Sequence, residues 1–137
     1  MPNSTNYYNT LIEVAEDTKA ISGVEPPMRG SKKSVANYEF DLIHKSPYKY
    51  TSDDVFFRVY TLRNEISQTS LQLEREQFFS KGRPCFRASP LTKTYGWGVH
   101  SNEHGKVAIY AMHSKEYARL VKDREVTKKK AMRSSRK

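Results

Sequence analysis

The stretch PCFRASPLTKTYGWGVHSNEHGKVAIYAMH, residues 84–113, decides which kind of fold the chain adopts. Its apolar and polar residues alternate over short runs instead of recurring every three or four positions, and such alternation marks strands. Strands are predicted at 84–89 (PCFRAS), 94–101 (TYGWGVHS) and 106–113 (KVAIYAMH). The loop SNEHGK joins the last two as a hairpin, where Gly105 can take the positive φ that a tight turn needs. KVAIYAMH is apolar on both faces, the pattern of an inner strand covered on each side.

Outward from this sheet the period changes. Upstream, NYYNTLIEVAED (6–17) is rich in β-formers and predicts a strand at 7–14, followed by a long loop holding Gly23, Pro26, Pro27 and Gly30. Val35, Tyr38 and Leu42, with Ala36, Phe40 and Ile43, recur at helical spacing, so 33–45 is predicted helical until Ser46-Pro47 stops it. A second helix is predicted over 53–64, capped by Ser52 and with Asp53 and Asp54 at the positive end of its dipole. A third, over 70–80, opens with Thr69 and Gln72 at capping-box spacing and exits through Lys81-Gly82. Downstream, Ser114 caps a last helix over 114–124 that turns Tyr117, Leu120 and Val121 inward. The expected fold class is α+β: an antiparallel sheet packed with about four helices. That sheet is a three-strand meander near 84–112, extended by the N-terminal strand.

The 137 residues suit one domain, 1–121, followed by a basic C-terminal tail, 122–137. The net charge of +9 is unevenly placed: 16 basic against 13 acidic residues up to Val121, then eight against two. Such a tail either contacts phosphates or simply solvates a chain end. Cys85 is the one cysteine, so no intrachain disulfide forms, which suits a reducing cytosol. The opening MPNSTNYYNT has neither the basic nor the apolar part of a secretory leader, and no run reaches the roughly 18 apolar residues of a membrane span. A cytoplasmic protein with no membrane partner is expected.

Strand alternation sorts the candidate chemistry into faces. Cys85, Arg87 and Ser89 would share one face of their strand, and Tyr95, Trp97 and Val99 one face of the next, opposite Gly96, Gly98 and His100. Glycines inside a strand mark the close approach of something bulky, either a packed helix or a ligand over a cleft floor. Cys85 and His100 are the candidate nucleophile and base, with Arg83, Arg87 and Lys93 as the positive field a thiolate needs. No orienting carboxylate follows His100, and Pro84 and Phe86 also suit a buried, inert cysteine. His100, His104 and His113 with Glu103 lack zinc-ligand spacing, so no metal and no cofactor is expected. GSKKS (30–34) leads into a helix start where Lys32, Lys33 and backbone amides could hold an anion; the alternative is that Ser31 or Ser34 simply caps the helix.

The segments NYYNTLIEVAEDT, VANYEFDLIHKSPYKYTSDDVFFRVY and FFSKGRPCFRASPLTKTYGWGVHSNEHGKVAIYAMHSKEY, with the ending KAMRS, resemble over nearly the whole chain a family of small bacterial proteins classed as a domain of unknown function. The resemblance implies a complete one-domain bacterial protein whose KAMRS tail is natural sequence. It implies no catalytic residue.

These observations predict a non-enzymatic binding or accessory module for an anionic partner. Lys32, Lys33, Arg83, Arg87 and Lys93 would bind, Tyr95 and Trp97 would line a cleft, and Lys128, Lys129, Lys130 and Arg133 would attract nucleic acid or another anion. Two alternatives stand beside it. One is a small-molecule pocket or enzyme site around Cys85, Arg87, Trp97 and His100; the other is a structural interaction domain or homodimer. Whether the chain is a monomer or a homodimer stays open.

Overall fold

Period-two alternation in three short segments builds the centre of the structure, a computed structural model that describes residues 3–28 and 30–133. Strand β1 (Thr10–Glu13) pairs antiparallel with β2 (Trp97–Ser101), and β2 with β3 (Val107–Ala111), in a sheet of order β3-β2-β1-β4. The register sets Ile12 opposite Val99 and Val99 opposite Ile109, while Leu11, His100 and Ala108 form the neighbouring row. Successive residues face opposite sides of a sheet, so these rows define two faces. Ile12, Val99 and Ile109 join a core with Phe40, Ile43, Val55, Val59, Phe86 and Leu91. Leu11 on the other face packs with Leu120 and Val126. Helices therefore cover both faces of a small sheet.

The first face lies under α1 (Val35–Lys45) and α2 (Ser52–Asn64), with α3 (Leu71–Phe78) beyond them; α5 (Lys115–Lys122) covers the second. Ser34 caps α1 in a reciprocal capping box with Asn37, and Ser114 caps α5 by accepting from the Tyr117 N–H. The α2 cap is one residue earlier than expected: Thr51 accepts from the Asp54 N–H, and the Asp54 carboxylate accepts from the Thr51 N–H. Ser52 becomes the first helical residue instead, and its buried hydroxyl has no partner. A 3₁₀ turn, Gln68–Ser70, capped by Ser67, precedes α3, which ends at Phe78 ahead of Gly82. In α5, Leu120 is buried and Tyr117 half-buried, but Val121 faces solvent.

The segment 84–89 is not a strand, so the expected three-strand meander reduces to the β2–β3 hairpin. Phe86–Ala88 form a 3₁₀ turn, and Ser89 then caps the single-turn helix α4 (Pro90–Lys93) by accepting from the Leu91 N–H. Pro90 decides this, because its missing N–H costs nothing at a helix start and would break a ladder. The fourth place in the sheet goes to β4 (Thr127–Lys130), which comes from the segment read as a basic tail and runs parallel to β1. The sheet is mixed rather than antiparallel, and α4 brings the helices to five among the described residues. β3 is an edge strand rather than an inner one. Its outer edge is met by the turn after α1, where Tyr48 N–H donates to Val107 O and Val107 N–H to Tyr50 O. Tyr48 takes a φ of 59° to make that contact.

Candidate functional site

A carboxyl group in a helix's apolar stripe must be neutral, paired or open to a ligand. Glu39 holds such a place on α1: Ala36, Glu39 and Ile43 follow helical spacing, and Glu39 is 1% exposed. Its Oε1 accepts a 2.6 Å hydrogen bond from Ser89 Oγ, the hydroxyl that also caps α4. Burial pushes the Glu39 carboxyl up to about 7, against the downward pull of the Ser89 bond. Oε2 has no partner among the described residues. The one side-chain polar atom sealed away there without a partner is Ser52 Oγ, so Oε2 keeps an opening.

Glu39 lines a cavity of about 400 Å³ between α1, α2 and the segment 83–90. Small-molecule sites run from about 300 to 1,000 Å³ and are mostly apolar with a few placed polar groups. The wall is apolar and aromatic, including Phe56, Tyr60 and Phe78, with Glu39 and Ser89 at the buried end. Arg63, at the end of α2, and Arg83 are exposed and stand at the mouth. Arg83 is aimed by its surroundings: Nε donates to Phe78 O at 2.7 Å, and the guanidinium lies 4.0 Å from the Phe78 ring centroid. Neither arginine has an acidic partner among the described residues, in contrast to Arg75, which holds Asp54 at 3.0 Å, and Lys33, which holds Asp41 at 2.8 Å.

Cys85 lines the same cavity, half-buried, with its Sγ 3.3 Å from the Tyr7 hydroxyl. Burial, and then the bond to the thiol, push Tyr7 up to about 12, so it remains a protonated partner for the sulfur. His100 is elsewhere. It lies in the Leu11 row, on the α5 face, with Nδ1 2.8 Å from the Tyr48 hydroxyl, which in turn lies 2.8 Å from the Tyr110 hydroxyl. Burial and the nearby Arg119 lower the His100 pKa, with Asp123 opposing; burial and the Tyr110 bond raise that of Tyr48. The structure therefore does not bring Cys85 and His100 together.

The other sequence candidates divide. Arg87 donates from Nε to Lys130 O at 2.7 Å, and its own carbonyl accepts from the Met132 N–H, so it fastens the C-terminal segment. Trp97 donates to Val24 O and packs edge-on to Phe40 and His44. Lys32, Lys33 and Tyr95 do meet, around a depression of about 490 Å³ at the α1 N-terminus, where Lys33 is engaged by Asp41. Lys93 closes α4. Lys128 Nζ donates to the carbonyls of Asp123 and Val126, while Lys129, Lys130 and Arg133 are exposed. Gly98 is explained by a helix: a Cβ there would lie 2.4 Å from the Tyr117 ring.

A larger cavity, about 780 Å³, lies between α2 and α3. No buried polar group faces it, and its Arg75 is committed to Asp54 and to the Phe57 and Phe79 rings. Among the described residues no three His, Cys, Asp or Glu side chains gather as metal ligands, and no helix is long and apolar enough to cross a membrane.

The sequence reading had found Arg83 and Cys85 and missed Glu39, Arg63 and Tyr7. Glu39 was detectable as a charge inside a helical apolar stripe; Arg63 and Tyr7 had no comparable signal.

Comparison with known proteins now adds one fact. The profile of a family of unknown function matches residues 2–137. The chain belongs to that family, DUF6157. Membership in DUF6157 spans all the elements around the Glu39 cavity and assigns none of them a role. Set against curated proteins and against solved structures, the chain has no match.

Proposed function

We propose that this protein is a non-enzymatic binding or accessory module that takes a small organic anion in the cavity bounded by α1, α2 and residues 83–90. One observation carries the reading: Arg63 and Arg83 stand at the mouth of an apolar cavity with no carboxylate among the described residues to neutralise them. Arginine offers a fixed fork of donors to carboxylate, sulfonate or phosphate, and an aromatic wall adds contact area for an apolar body. A cytoplasmic setting goes with this reading, since the free Cys85 in the wall suits a reducing compartment.

The test uses anilinonaphthalene sulfonate, an aromatic anion that fluoresces when bound, against its uncharged relative N-phenylnaphthylamine. Support would be one binding site that weakens with salt and loses about tenfold or more in affinity in both Arg63→Gln and Arg83→Gln, the worth of one charge-assisted bond. The bound probe would also slow iodoacetamide alkylation of Cys85. Equal affinity for the uncharged relative, or full affinity in both variants, would dispose of the proposal.

A further inference from the structure

The chemistry at the two ends of the Glu39 cavity specifies more than an anion, provided the anion-binding reading above holds. At the deep end Glu39 lines the cavity, its Oε1 accepting from the Ser89 hydroxyl and its Oε2 without a hydrogen-bond partner among the described residues. A carboxyl in that position needs a hydrogen-bonding group from the ligand, because an unmatched buried oxygen is costly. The same wall carries the rings of Phe56, Tyr60 and Phe78, the last two packed on each other with centroids 4.9 Å apart. Ring walls favour a flat ligand, which can stack or meet them edge-on. At the mouth stand Arg63 and Arg83.

We infer that the cavity takes a nucleobase-like heterocycle bearing a phosphate, its N–H edge on the Glu39 carboxyl, its ring against the aromatic wall and its phosphate on Arg63 and Arg83. The cavity is at the small end for ligand sites, which fits a mononucleotide rather than a dinucleotide. The Glu39 carboxyl also makes base choice depend on pH. Neutral, with Oε1 already accepting from Ser89, it offers the Oε2 hydroxyl as donor and the second lone pair of Oε1 as acceptor, and either adenine or guanine can pair with it. Ionised, it only accepts. Guanine then still presents two adjacent N–H donors, whereas adenine places a ring-nitrogen acceptor against the carboxylate. Among the described residues no other carboxyl lines this cavity; its remaining titratable groups are Tyr60 and Cys85, and its basic ones, Arg63 and Arg83, face the phosphate.

The experiment titrates AMP and GMP into the full-length protein by calorimetry at pH 6 and pH 8. Taking the ratio of the two affinities cancels the titration of the phosphate itself. The expected result is a GMP/AMP affinity ratio that rises about tenfold from pH 6 to pH 8, one hydrogen bond's worth. In Glu39→Gln, whose amide has one donor and one acceptor like the neutral acid, the ratio should stay at its pH 6 value. The wild-type ratio is a complete test on its own should that variant fold poorly. A ratio independent of pH, or a Glu39→Gln protein that keeps the rise, overturns the inference. If neither nucleotide binds while anilinonaphthalene sulfonate still binds through Arg63 and Arg83, the heterocycle is wrong and the anion-binding module stands. If the sulfonate also fails, both fall.

Discussion

A missing carbon at Gly98 lets α5 lie on the sheet. Its Cα faces the Tyr117 ring so closely that a Cβ would sit 2.4 Å from Cε2, and the ring is pinned because its hydroxyl accepts from the Val14 N–H at 3.1 Å. Neither partner can give way, so Gly98→Ala should cost roughly 1–3 kcal/mol, the usual range for overpacking. Urea unfolding monitored by tryptophan fluorescence measures it. Tyr117→Ala in the same chain should recover part of the loss, since residues in contact are not additive. If the glycines floored an open ligand cleft instead, Gly98→Ala would leave stability untouched. A second residue-scale test separates the two hydroxyls at the start of α2. Thr51→Ala removes a working cap and should cost about 1 kcal/mol. Ser52→Ala removes a buried hydroxyl without a partner and should be neutral or stabilising. The reverse order would restore Ser52 as the cap.

Helices α1 and α4 are joined through one carboxyl, and that joint makes stability depend on pH. Glu39 ionises in the folded chain near 7, against 4.5 for an ordinary glutamate, because burial penalises its charge. A carboxyl raised on folding contributes fully below 4.5; the contribution falls as pH rises and is gone once pH has passed 7. At about 1.4 kcal/mol per unit the loss approaches roughly 3 kcal/mol. His100 works in the opposite sense: its lowered pKa means that stability is lost on the acid side as its half-buried ring is forced to charge. Glu39→Gln should therefore flatten the decline in Tm between pH 5 and pH 8 and leave the acid limb, which Tm measured across that range resolves. A wild-type Tm that stays level up to pH 8 would mean that Glu39 is not held neutral. This element scale is also where the sequence was most legible. Local signals placed α1, α2, α5 and the hairpin: Ser34 and Ser114 as caps, Pro47 as a stop, Gly105 at φ 77° in the turn. The errors fell where a local pattern had two meanings. Residues 84–89 alternate like a strand, yet Pro90 turns them into a 3₁₀ turn leading to a helix start. The site was half legible for the same reason, since a cavity joins residues far apart in the chain: Arg83 and Cys85 stand out in their own segment and Glu39 as a charge in an apolar stripe, whereas Arg63 and Tyr7 carry no local sign of it.

The whole molecule depends on the segment that composition describes as a tail. Thr127–Lys130 has neither β-branched runs nor an apolar face, so nothing local marks it as a strand; its partner β1 supplies the ladder. Edge strands tolerate and often carry lysine, which deters further strands from adding. The residues flanking β4 are apolar and buried: Val126 covers Leu11 with Leu120, and Ala131 enters the main core. Arg87 then ties the end down through Lys130 O and the Met132 N–H. Much of the basic charge beyond Val121 is thus carried by a structural element, and two uses of it can be told apart. Deleting residues 122–137 should abolish cooperative unfolding, since it exposes Leu11 and strips β1 of a neighbour. Lys129→Gln with Lys130→Gln, both exposed, should shift stability by less than about 0.5 kcal/mol. Near-ultraviolet circular dichroism and thermal melts read both outcomes. A truncated chain that still melted cooperatively would make β4 a dispensable addition. Anion binding ascribed to the tail is for this reason measured on the lysine double variant, because a loss of binding on truncation would report unfolding and not contact.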